Sequence, residues 1–219
     1  MKIRTSEQLT DKLDQELVWR KKELSQLKSL INTTYNPKKK VLLRSGITIL
    51  YAHWEGFIKV AANSYLEFVA MQRLHYCELT NNFIAVAFKE QLDQAKATNK
   101  ASLYIECFTF LQNQLSQRSN LPYKNVISTA SNLTSSVFKE IVVLLGLDYS
   151  FYESKEVLID EKLLKQRNNI AHGNYLEIDN ESYNELHKEI IIIMDTFRNE
   201  IENYAVTEQY KVSTNQKTS

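Results

Sequence analysis

A chain of 219 residues with 43% apolar and 24% charged side chains is long enough to bury one sizeable core. Its 4 glycines and 2 prolines exclude GxGxxG, Walker and GxSxG loops and argue against a many-turned β-fold, so the expected class is all-α. The formal net charge is only +1 but unevenly spread, with +5 over residues 1–40, +2 over 41–147 and −6 over 148–219. A basic front and an acidic rear suit nucleic acid at one end, head-to-tail pairing in an oligomer, or simply two solvated helix faces.

Residues 6–33 place Leu9, Leu13, Leu17, Leu24, Leu27 and Ile31 near a 3.6-residue period, which predicts an amphipathic helix capped by Thr5 or Ser6. Asn36-Pro37 ends it. From 38 to about 74 the ladder Leu43, Ile47, Leu50, Trp54, Phe57, Ala61, Tyr65, Phe68 advances in steps of three and four. That predicts one helix of roughly 50 Å, the spine of a bundle. Helices are also expected over 81–97, 102–115 and 132–145, with a loop over 117–123 and Gly146 as a C-terminal cap.

Asp160 reads as the N-cap of a helix over 161–172 that closes at Gly173, and a last helix is expected over 180–204. The domain division expected is a helix over 1–35 packing on a bundle over 36–206, followed by a disordered tail over 207–219. Cys77 and Cys107 lie 30 apart without CxxC spacing and read as small core residues of a reducing compartment. Neither a signal-like apolar segment nor a membrane-length apolar run is present, so a soluble cytoplasmic protein is expected.

The stretch Leu163-Leu164-Lys165-Gln166-Arg167-Asn168-Asn169-Ile170-Ala171-His172-Gly173 departs from this plain pattern. On a helical wheel Leu163, Leu164, Ile170 and Ala171 form an apolar stripe, and Arg167 falls at its centre. A guanidinium there needs a carboxylate, a carbonyl or an anionic ligand. Asn168 and His172, one turn apart, lie beside it. Arginine forks onto phosphate oxygens, and histidine can move a proton near neutral pH, so the set suits work on a phosphodiester. The plainer reading is an arginine paired to a core carboxylate beside a helix-capping histidine. No dense Asp/Glu/His cluster with ligand spacing implies a metal, and no cofactor is implied.

Arg167-Asn168-Asn169-Ile170-Ala171-His172-Gly173 resembles the RNxxAHG form of the Rx4-6H motif of the HEPN superfamily, the higher eukaryotes and prokaryotes nucleotide-binding domains. Leu43-Arg44-Ser45-Gly46, with Tyr51-Ala52-His53-Trp54-Glu55-Gly56-Phe57-Ile58-Lys59, resembles the long helix of a HEPN branch common in bacterial conflict proteins. The likeness covers about 38–204. It implies an α-helical bundle that dimerises through the motif helices and cuts RNA without a metal in a composite cleft. The setting it implies is toxin–antitoxin or phage defence, with an antitoxin or regulatory protein as a further partner.

Carried over to this chain, Arg167 and His172 are catalytic, and Asn168 orients the phosphate or the histidine. Glu55 positions Arg167 or His172, or pairs with Lys59 one turn on. Lys38, Lys39, Lys40 and Arg44 track an RNA backbone or form a solvated helix start. Some HEPN toxins carry a modifiable tyrosine two residues after the histidine; Asn174 stands there in this chain, followed by Tyr175, so that control is not expected. His53 is expected to be structural, and Tyr35, Tyr51, Tyr65 and Tyr76 to serve packing more than base stacking. The alternatives are a non-catalytic HEPN module that binds nucleotide or RNA, or a plain helical scaffold.

Overall fold

A computed structural model describes residues 2–98 and 100–213. The chain is all-α: α1 Ser6–Thr33, α2 Lys38–Gln72, α3 Asn81–Thr98, α4 Ala101–Gln114, α5 Ser135–Leu144, α6 Ser150–Glu153, a π-helical segment Leu158–Leu164, α7 Lys165–Ala171 and α8 Asn180–Val206. Among the described residues the only β-type pairings are isolated bridges, His75 with Arg118 and Leu79 with Lys211. None of the described helices is long and apolar enough to cross a membrane.

The core is built from the three longest helices, α1, α2 and α8, each packed on the other two. Every residue of the apolar ladder in α2, from Leu43 to Phe68, is buried. Thr5 caps α1 by accepting from Gln8 N at 3.2 Å, and Asp179 caps α8 by accepting from Ser182 N at 2.8 Å. Close approach of the three helices is concentrated at Gly46. A Cβ there would stand 2.8 Å from Tyr183 Cε2 on α8 and 2.9 Å from Ile31 Cδ1 on α1. Gly146 and Gly173 hold φ of 71° and 77°, the left-handed conformation expected after α5 and α7.

Four expectations need correction. The helix over 132–145 begins only at Ser135, because the Thr134 hydroxyl caps it by accepting from Val137 N, leaving Asn132 in the preceding loop. Asp160 does not cap its own helix: it lies inside the π segment, and its carboxylate accepts from Ser135 N at 2.8 Å and Ser135 Oγ at 2.5 Å, binding the start of α5. Cys77 is exposed, whereas Cys107 is buried. Residues 207–213 are packed rather than loose: Tyr210 is buried edge-on to Phe68 at 5.6 Å, and Val212 N donates to Glu78 O. The tail beyond them, 214–219, lies outside the described residues.

His187 on α8 is buried among α1 residues and beside Tyr183. Burial, then the nearby Lys28 charge, pushes its imidazole down to about 4, with the Leu24 backbone opposing. The folded state therefore holds His187 neutral, while the unfolded chain takes up a proton below about 6.5. Stability should be retained above pH 6.5 and fall as the pH drops toward 4; urea midpoints measured across that window should fall less in His187→Gln. Gly46→Val should lower the unfolding free energy by about 1–3 kcal/mol through overpacking against Tyr183 and Ile31, read as a shift in urea midpoint.

Candidate functional site

The motif helix arrives at the bundle through an irregular turn. Lys165 N donates to the Asp160 carbonyl, five residues back, so the backbone is wider over Leu158–Leu164 before α7 resumes the ordinary α-helical path. Leu163 and Leu164 anchor this turn in the core, while Ile170 is half-buried and Ala171 exposed. The apolar stripe thus fades along α7, and Arg167 sits half-buried at its edge rather than within the core.

Three partners fix the Arg167 side chain. Its Nη1 donates to Asn132 Oδ1 and to Asn168 Oδ1, each at 2.7 Å, and the guanidinium carbon lies 4.5 Å from the centre of the Tyr51 ring. None of these partners carries a full negative charge. Among the described residues the arginines in salt bridges are Arg20, with Glu16, and Arg198, with Asp14 and Glu202. Arg167 is held in place without being neutralised.

The seat beneath it is itself fixed. Tyr51 is buried in α2, and its hydroxyl accepts from Leu133 N at 2.7 Å, which draws the loop before α5 across α2 and sets Asn132 beside Arg167. Burial raises the Tyr51 phenol above its ordinary value, and the Glu55 charge adds to this, while the Leu133 N–H and the Arg167 charge oppose it. Glu55 forms no salt bridge with Arg167, His172 or Lys59 among the described residues. It acts instead on Tyr51, one helical turn back, the ring on which Arg167 rests.

His172 ends α7 as its C-cap, with its backbone N–H on Asn168 O at 3.0 Å. Its ring is exposed, and no hydrogen bond joins it to Arg167 or Asn168 among the described residues. The structure therefore brings Arg167 and Asn168 together and sets His172 at the solvent edge of the same helix. Arg44 reaches this end from α2: its Nη2 donates to Asn174 O at 3.1 Å, and its guanidinium lies 5.9 Å from the Tyr175 ring. Lys40 pairs with Glu177 at 2.7 Å, while Lys38 and Lys39 stand at the start of α2 away from any salt bridge among the described residues. A shallow groove of about 500 Å³, lined by Val41, Arg44, Ser45, Thr48, Ile49 and Ile170, runs beside the motif helix.

The remaining histidines serve elsewhere. His53 is buried against α1, 3.1 Å from Glu23 and edge-on to Trp19, the structural role expected of it. His75 pairs with Glu78. Of the four tyrosines, Tyr35 is exposed and Tyr51, Tyr65 and Tyr76 are buried. Among the described residues no three His, Cys, Asp or Glu side chains gather to hold a metal. Asn132 and the cationic seat on Tyr51 were not anticipated as site features. Asn132 lies 35 residues before Arg167 in a stretch that scans as helix, so no local spacing connects them.

The family model HEPN_MAE_28990-like HEPN matches residues 9–210, which includes most of α1 as well as the bundle and the motif. The chain belongs to the HEPN superfamily. No significant match was found among curated proteins or among solved structures. In this HEPN domain the motif arginine is gripped by two amides and a ring, whereas the ring of the motif histidine is exposed. Tyr51→Phe would leave the buried Leu133 N–H without an acceptor. It should cost about 1–3 kcal/mol in urea unfolding, with loss of the loop's grip on Asn132.

Proposed function

We propose that this HEPN domain is a metal-independent endoribonuclease, acting in the cytoplasm as a homodimer within a toxin–antitoxin or phage-defence system. The observation that carries the reading is the Arg167 guanidinium, positioned by neutral groups and left with its charge unspent. A half-buried cation of this kind suits an anion that arrives from outside, and a phosphodiester oxygen offers the fork of acceptors that arginine favours. Asn168 keeps the guanidinium turned and leaves its own amide N–H groups for a second phosphate oxygen.

In this reading Arg167 binds the scissile phosphate and stabilises the charge that builds on its oxygens as the bond order at phosphorus rises. The 2′-OH attacks the adjacent phosphorus, the bond to the 5′-oxygen breaks, and the products are a 2′,3′-cyclic phosphate and a 5′-OH. Of the two His172 side chains that the homodimer would bring to the cleft, one takes the proton from the 2′-OH and the other supplies one to the leaving 5′-oxygen. Two copies of α7 near a two-fold axis would bring a second arginine and histidine to one cleft. The groove beside Ile170, with the exposed Val41 and Tyr175 nearby, offers apolar surface for that pairing.

The same exposed His172 ring also supports a second reading, a HEPN module that binds RNA through Arg167 without cutting it. One assay separates the two: a mixed-sequence RNA and the matching DNA incubated with the chain in EDTA. The expected outcome is cleavage of RNA alone, lowered at least about a hundredfold in His172→Ala and in Arg167→Ala while both stay folded. RNA retained but uncut by the wild type would establish the binding module. Full activity in His172→Ala would remove that residue from the mechanism.

A further inference from the structure

A groove of about 870 Å³ lies away from the motif helix, between α2 and the loop that joins α4 to α5. Its polar lining includes Lys2, Lys59, Lys124, Asn63, Tyr123 and Glu67. Three cations thus face one carboxylate in a domain whose acidic and basic residues otherwise nearly balance. The lysines are uncommitted as well. Six lysines elsewhere, Lys12, Lys21, Lys40, Lys155, Lys165 and Lys211, take part in salt bridges; Lys2, Lys59 and Lys124 take part in none among the described residues.

Both walls of this groove lead to Arg167. One wall is α2, on which Tyr51, Glu55, Lys59 and Asn63 follow at four-residue steps along a single ridge. The Arg167 guanidinium lies over the first of these side chains, and the groove opens at the last two. Twelve residues of helix separate Tyr51 from Asn63, about 18 Å of rise. The other wall is the loop itself: Tyr123 and Lys124 line the groove, and the same loop then delivers Asn132 to Arg167 and Leu133 N to Tyr51. The helix and the loop that wall the groove are thus the same two elements that seat Arg167.

We infer that this groove binds the single-stranded RNA that flanks the phosphate held at Arg167, with Lys59, Lys124 and Lys2 on its backbone and Tyr123 offered to a base. The inference rests on the reading of Arg167 as a phosphate-binding residue. A channel with cations spaced along it, amide and hydroxyl groups between them and a half-buried ring is the chemistry that holds single strands. An acidic peptide would meet the same lysines, but the run of polar groups along α2 toward the Arg167 cation, about 18 Å of helix rise from Asn63 to Tyr51, fits a chain with regularly repeated anionic charge.

The test is a salt titration. Full-length His172→Ala protein is mixed with fluorescein-labelled single-stranded RNA, and Kd is followed by anisotropy over a range of KCl. A second protein adds Lys59→Gln and Lys124→Gln, both at exposed positions. The double change should weaken binding about tenfold at low salt and flatten the slope of log Kd against log salt by about 1.4, at roughly 0.7 per phosphate contact on a single strand. Arginine at both positions should restore the slope. Unchanged affinity and slope, or no RNA binding by the parent protein, would overturn the inference. An unchanged slope in a chain whose wild type still cuts RNA removes the groove and keeps the nuclease. A flattened slope in a chain that never cuts RNA keeps the groove and removes the nuclease.

Discussion

The site depends on one unusual balance: a guanidinium fixed by two amides and a phenol ring, with no carboxylate paired to it among the described residues. Removing an arginine head group from bulk water costs free energy that a carboxylate partner would normally offset. Here the cost is met by neutral acceptors at 2.7 Å and by the ring face, which return part of the lost solvation while leaving the net charge intact. Arg20 shows the other solution within the same chain. It is more deeply buried than Arg167, lies over Trp19, and is tied to Glu16 at 2.5 Å. An aromatic face supports both arginines, but only one is paired with a carboxylate.

Holding Arg167 this way requires pieces distant in sequence to meet. Tyr51 belongs to α2, Asn132 to the loop before α5, and Arg167 to α7. Two residues, Tyr51 and Asp160, help tie the loop and α5 to the rest. Leu133 N donates to Tyr51 Oη, and Asp160, from the π segment just ahead of α7, accepts from the backbone and hydroxyl of Ser135. The Asp160 bonds make the approach to the motif helix part of the cap of α5, so loop, cap and motif are fixed by one another. The wider π turn over Leu158–Leu164 is the backbone adjustment that lets Asp160 face Ser135 while Leu163 and Leu164 remain in the core.

How far the sequence discloses this follows from the range of each interaction. The long helices are legible because burial imposes a local period: the α2 ladder is buried at every step, and α8 behaves alike from Tyr183 to Ile201. Gly146 and Gly173 are legible because a left-handed residue after a helix favours one amino acid. Asp160 misleads for the same local reason. It has the chemistry of an N-cap and stands before a helical run, yet the helix end it serves is 25 residues away. Arg167 stands out on the wheel because a cation interrupts an apolar stripe, but its partners Asn132 and Tyr51 carry no periodic signal that points to it. Tyr210 escapes notice because a lone aromatic in a polar tail looks the same whether it packs or not.

The helix α2 reconciles these demands because its sides meet different kinds of partner. Gly46 admits Tyr183 and Ile31 so closely that α1 and α8 both seat on it, and the apolar ladder is spent on that contact. The ridge from Tyr51 through Glu55 and Lys59 to Asn63 is therefore free of core-forming work over much of its length, and it carries a ring for Arg167 at one end and polar groups at the other. A helix of fewer turns could serve the bundle or the site, but its 35 residues let it do both without placing a charged group in the core. On this view, the length of α2 reflects the separation of the two tasks. The close packing that fixes the fold lies at Gly46 and along the ladder, and the uncompensated charge lies where α2 meets the loop and α7, so an anion can reach Arg167 without passing through the packed core.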